Sequence, residues 1–207
     1  MKNYIVEFIG TFFLVLSIGL TGNPIAIGAM LTVMVYMGGP ISGAHYNPAV
    51  TLAVMMRGKI AAGEAFKYML VQILAAACAA ILFYLIYGRT FAPAPNPQLN
   101  VMKALAVEML FTFALASVVL NVATSKKSAG NSYFGLAIGF TVMACAFAGG
   151  GISGGAYNPA VGLGPIMVDT ILGGKSGLHA WLYLVGPLAG GAVAAIVYKM
   201  TNPDEFA

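Results

Sequence analysis

The chain has 207 residues, 60% of them hydrophobic and only 8% charged, with a mean hydropathy of +0.89. Soluble domains carry about 25% charged residues, so this composition excludes a soluble enzyme, and Gly and Pro show no short period that would suggest a fibrous or disordered chain. Ten Lys and Arg against six Asp and Glu leave a net charge of +4, but the basic residues form no stripe, which excludes a nucleic-acid surface.

In chain order, apolar stretches at about residues 4–20, 24–39, 64–87, 101–122, 133–149 and 178–200 approach the roughly 20 residues of a membrane crossing. The first follows one Lys, contains Glu7 and lacks a small-residue cleavage site, so it reads as a retained helix and not a signal peptide. Two shorter apolar pieces, at about 48–56 and 159–168, are each half a crossing long and are entered through Asn-Pro. The expected fold is an all-α membrane protein of six transmembrane helices plus two re-entrant half-helices, one domain over residues 1–207 with no room for a soluble one. Alternating spans put Lys2, Arg57, Lys59, Lys67, Lys126, Lys127 and Lys199 on one side and Arg89, Lys103 and Lys175 on the other. The positive-inside rule then places both termini in the cytoplasm, with the plasma membrane as the default location. Cys78 and Cys145 lie inside apolar runs and suggest no disulfide framework.

The two halves resemble each other. Glu7, Thr11, Phe12 and Leu14 recur in register as Glu108, Thr112, Phe113 and Leu115. Residues 38–54 align without a gap on 149–165, with 11 of 17 identical, around a shared Ile-Ser-Gly-x-x-Tyr-Asn-Pro-Ala-Val. Repeat 1 covers about residues 1–88 and repeat 2 about 100–207. With an odd number of spans in each, the second enters the membrane upside down, giving an inverted repeat.

Asn47 and Asn158 are strong N-cap residues, and Pro48 and Pro159 suit the first helical position. The preceding Gly38-Gly39-Pro40 and Gly149-Gly150-Gly151 are expected to interrupt the helix, so that an extended loop dives inward before each half-helix. The inverted repeat brings the half-helix N-termini together near the midplane. There, two positive helix ends of about half a charge each repel cations and protons. The Asn amides donate to a passing oxygen, and carbonyls of Gly43, Ala44, His45, Gly154, Gly155 and Ala156 form an acceptor ladder. Such a pore suits small neutral polar solutes.

With the paired Asn47-Pro48-Ala49 and Asn158-Pro159-Ala160, Glu-x-x-x-Thr in spans one and four, Tyr68-x-x-x-Gln72 and Gly186-Pro187, the chain resembles the aquaporin and glycerol-facilitator (major intrinsic protein) family over nearly its whole length. The resemblance implies a water-conducting homotetramer with one pore per subunit. It also transfers a selectivity filter to Ile27, Ala146, Gly155 and Val161, where strict water channels have Phe, His, a small residue and Arg. Val161 replaces the family's usual Arg, as in some plant vacuolar members, so the filter is expected to be wider and drier. Glycerol facilitators usually carry Asp where this chain has Gly162, and Tyr183-Leu184 mixes the water- and glycerol-channel patterns.

The resulting expectation is a passive channel for water and small uncharged solutes (glycerol, urea, ammonia, hydrogen peroxide) that excludes ions and protons. A strict water channel, a secondary transporter coupled through Glu7 or Glu108, and a structural junction protein are the alternatives. Glu7 and Glu108 are expected to support the loops, since they recur symmetrically, although intramembrane carboxylates commonly mark transport sites. His45 is expected to hold its loop. His179 and the cysteines form no metal site, and neither an enzymatic constellation nor a cofactor is expected. Cys145, beside Ala146, is expected to face packing.

Overall fold

The backbone in this composition must satisfy its own hydrogen bonds, and it does so as helix. The computed structural model describes residues 1–205, which form α1 (Lys2–Thr21), α2 (Pro24–Ser42), α3 (Pro48–Met56), α4 (Ala62–Tyr87), α5 (Val101–Val119), α6 (Phe134–Ser153), α7 (Pro159–Ile171) and α8 (Ala180–Thr201). A π-helix at Leu120–Thr124 prolongs α5. Six of these helices are long and apolar enough to span a bilayer, and α3 and α7 are the two short ones, so the expected element order holds.

Local chemistry sets the ends. The Asn23 side chain accepts from the Ile25 N–H at 2.9 Å and Asn100 from the Met102 N–H at 2.8 Å, each supplying an N-terminal orphan donor with a partner. The bundle closes where backbones lie close together. A Cβ on Gly28 would lie 2.7 Å from the Gly139 carbonyl, and one on Gly139 2.5 Å from the Gly28 carbonyl, so only glycines allow α2 and α6 to cross this tightly. Gly190 and Gly191 play the same part in α8, facing the carbonyls of Met109 and Ala49. The side chains of Leu85, Ile171, Phe66 and Phe147 point outward and exposed, as expected for a surface in contact with lipid or other subunits.

One sequence expectation is corrected. Gly38-Gly39-Pro40 and Gly149-Gly150-Gly151 do not interrupt the helices: α2 continues to Ser42 and α6 to Ser153. The first glycine of each stretch serves packing instead. A Cβ on Gly38 would sit 1.8 Å from the Tyr46 hydroxyl and one on Gly149 2.4 Å from that of Tyr157. Away from water, unpaired peptide groups cost several kcal/mol, so helix persists through residues of poor propensity. Pro40 lies within the last turn of α2, which continues past it to Ser42. Helix ends at Gly43 and Gly154 instead, both left-handed at φ 88°, where their N–H groups close onto Gly39 and Gly150 carbonyls.

Candidate functional site

Between each long helix and its half-helix lie only five residues, and their backbone is bent. Ala44, Tyr46 and Tyr157 have φ of 51°, 49° and 49°, a region that non-glycine residues seldom occupy, while Gly155 takes the matching turn at 70°. Two buried carboxylates hold these turns. Glu7 Oε1 accepts from the Ser42 hydroxyl at 2.7 Å and the His45 N–H at 2.9 Å, and Oε2 accepts from the Tyr46 N–H and the Gln72 amide, both at 2.8 Å. Glu108 repeats the pattern, with Ser153 at 2.7 Å and the Ala156 N–H at 3.0 Å on one oxygen and the Tyr157 N–H at 2.6 Å on the other. Charge-assisted bonds of this kind are about twice as strong as neutral ones, which offsets the backbone strain.

The half-helices meet through their caps. Asn47 Oδ1 accepts from the Ala49 N–H at 2.8 Å, while its Nδ2 donates across to the Tyr157 carbonyl at 2.9 Å. Asn158 does the reverse, accepting from Ala160 at 2.9 Å and donating to the Tyr46 carbonyl at 2.9 Å. Each amide thus spends one N–H in tying the two tips together and retains the other. Pro48 and Pro159 occupy the first helical positions, and Ala49 and Ala160 are fully buried.

Beside the tips runs a cavity of about 370 Å³, lined mainly by apolar side chains. Asn47 and Asn158 reach it, as do all four residues of the expected filter, Ile27, Ala146, Gly155 and Val161. A second cavity of about 400 Å³ opens at the face that carries Asn3, Lys59 and Glu64. The carbonyl-bearing residues divide between the two: Ala44, Gly154 and Ala156 line the first with Gly155, Gly43 lines the second, and His45 lines both. Among the described residues, no hydrogen bond to the carbonyls of these six is found.

His45 is fastened on its other side, with Nδ1 3.1 Å from the Thr51 hydroxyl and its ring 5.3 Å from that of Tyr68. His179 ends a short 3-10 turn before α8, remote from the cavities. Cys145 is buried with its sulfur toward the Phe111 carbonyl and does not line the cavity. Gly162 is accounted for by Tyr183, since a Cβ there would come within 2.3 Å of the Tyr183 Cβ, leaving no room for a larger side chain.

Sequence reasoning missed several supporting residues. Ser42 and Ser153 cap the carboxylates and Tyr46 and Tyr157 form the crossed carbonyls. All four stand inside the repeated motif, so that repetition was an available signal. The hydroxyls of Tyr68 and Tyr183, on the third span of each repeat, donate to the Ser42 and Ser153 carbonyls at 3.0 and 2.6 Å; both tyrosines were noted in the sequence, but not this supporting role. No such trace was left by a cluster 148 residues apart in sequence, in which Arg57 pairs with Glu205 at 2.6 Å and Ser125 and the Lys126 N–H also bind that carboxylate.

Comparison with known proteins agrees with this architecture. Residues 1–198 match the family model described as major intrinsic protein. The chain is 34% identical to aquaporin NIP1-4 of Oryza sativa, over 97% of this chain and 77% of that one. It is 32% identical to the glycerol uptake facilitator protein-like 6 of Lactiplantibacillus plantarum, over 99% and 100%. The X-ray structure of the aquaglyceroporin from Plasmodium falciparum superposes with a TM-score of 0.86 at 24% identity, covering 99% of this chain and 98% of that one. With matched glutamates bracing two opposed Asn-Pro-Ala half-helices inside six spans, and with these relatives, the chain belongs to the major intrinsic protein family of integral, multi-pass membrane proteins.

Proposed function

We propose that this protein is a passive transmembrane channel for water and small uncharged solutes such as glycerol, urea, ammonia and hydrogen peroxide, and that it excludes ions and protons. The observation that carries this reading is the reciprocal pair of Asn47 and Asn158 bonds, which sets two half-helix N-termini tip to tip beside a largely apolar cavity. Two ends of about half a positive charge each oppose any cation there, whereas a neutral molecule finds one free N–H on each Asn and a row of unengaged carbonyls. The names of the relatives, an aquaporin and a glycerol uptake facilitator-like protein, support the same solute class.

Ile27, Ala146, Gly155 and Val161 form the outer filter in this reading. With no charge among them and two of them nearly without a side chain, it favours a permissive channel over a strict water channel. Glu7 and Glu108 act as loop supports. A coupled transporter would require a carboxylate that loads and unloads, and these are saturated by four and three fixed donors. The functional unit is two inverted repeats, residues 1–88 and 100–207, assembled as a homotetramer. The excess of basic residues on the face bearing the termini supports a cytoplasmic orientation for that face, in the plasma membrane.

Stopped-flow measurement of water, glycerol and urea flux into proteoliposomes tests the reading. The parent is expected to pass all three faster than empty vesicles, and Val161→Arg to suppress glycerol and urea more than water. Solute rates equal to those of empty vesicles would refute the permissive filter.

A further inference from the structure

The cavity that holds the outer filter and both Asn side chains does not run on into the cavity at the face of the termini. The two are separate, and the residues common to both linings are His45 and Val119. Two cavities that share lining residues without merging point to a narrowing between His45 and Val119.

The pseudo-symmetry explains why the narrowing lies on one side only. His45 precedes Asn47 by two residues and Ala156 precedes Asn158 by two, while Val119 and Ile18 each follow their span's glutamate by eleven. The outer equivalents, Ala156 and Ile18, therefore oppose a methyl to an isobutyl-sized group, and both line the one cavity that holds the outer filter. On the inner side an imidazole replaces that methyl. It is also immobile, because Thr51 holds Nδ1, Tyr68 packs on the ring and Glu7 holds the backbone N–H. Val119 is 6% exposed and β-branched, so its χ1 is stiff in a helix, and it is the last residue of α5 before the π-helix at Leu120–Thr124. Two fixed walls make a size limit and not a gate.

We propose that the gap between His45 and Val119, and not the outer filter, sets the largest solute this channel passes. The inference rests on the channel reading above. One wall is an imidazole edge and the other an isopropyl group, so a solute must shed hydration on the valine side while meeting a single polar partner. Water, being smallest, loses least, and a three-carbon polyol loses most. Val119 is thereby a specificity-determining residue that neither paired motif contains.

The test is stopped-flow flux of water, urea, glycerol and the four-carbon polyol erythritol through proteoliposomes of the parent, Val119→Ala, Val119→Leu and Ile27→Ala. Val119→Ala, which removes two carbons from the wall, is expected to raise the glycerol-to-water and erythritol-to-water ratios by about tenfold or more, since even one methylene alters discrimination in an apolar site by about tenfold. Val119→Leu is expected to lower both, and keeps the test decisive should the alanine variant fold poorly. Unchanged ratios in both valine variants, or a larger shift from Ile27→Ala than from Val119→Ala, would overturn the proposal. Parent water flux no faster than that of empty vesicles would instead overturn the channel reading itself, whereas a parent that passes water but no glycerol leaves the Val119→Ala gain as the deciding result.

Discussion

At the scale of single residues, the two intramembrane carboxylates do most to shape the site. Each oxygen of Glu7 faces a backbone N–H, that of His45 or Tyr46, and each oxygen of Glu108 faces that of Ala156 or Tyr157. Glutamine is nearly isosteric but has only one acceptor, so in either orientation its NH₂ confronts a backbone donor that cannot turn away. Leaving one such buried N–H unpaired costs about 1–3 kcal/mol, and the lost charge assistance on the remaining bonds adds to it. Glu7→Gln and Glu108→Gln are therefore expected to lower the thermal unfolding temperature in detergent and to reduce water and solute flux together, without making flux depend on a pH gradient. Variants of unchanged stability whose uptake had gained or lost pH coupling would recast these carboxylates as transport sites.

At the scale of elements, the ties between distant parts of the chain carry the fold. Glu205, in the 3-10 turn Pro203–Glu205, reaches Arg57 at the end of α3 and Ser125 after the π-helix, joining three segments at the face of the termini. The Ser125 hydroxyl above all, with the Lys126 N–H and Arg57, lowers the Glu205 carboxyl from an ordinary 4.5 to about 2. A carboxyl whose folded value lies below its unfolded one stabilises fully above the unfolded value and loses that contribution as pH falls toward the folded one. The stability gap between the parent and Glu205→Gln is thus expected to be constant near neutrality and to close between about pH 4.5 and about 2, as read by thermal unfolding of the two proteins across that range. A gap that persisted undiminished at the acid end would mean that the cluster is held by packing alone. The spans and both half-helices were legible in the sequence because hydropathy and Asn-Pro caps are local signals. Arg57–Glu205 was not, because ion-pair partners 148 residues apart leave no local pattern. The glycine stretches misled for a related reason: Gly38 and Gly149 look like helix breakers until the rings of Tyr46 and Tyr157 that fill their space are known.

At the scale of the whole molecule, the repeated motif supplies both halves of one device. The near-identity of residues 38–54 and 149–165 was readable directly, and with it the presence of two matched half-helices. The reciprocity was not: that each Asn would donate to the carbonyl preceding the other depends on how the halves face one another, which only three-dimensional placement reveals. The functional account depends on that reciprocity, because it concentrates positive potential where a solute must pass. Proteoliposomes loaded with a pH-sensitive dye, subjected in one experiment to an osmotic step and an imposed pH gradient, test this most directly. The account predicts rapid water flux, well above that of empty vesicles, while the pH gradient decays no faster than in those vesicles. Collapse of the gradient through the reconstituted protein, or water flux no faster than the lipid alone allows, would contradict it.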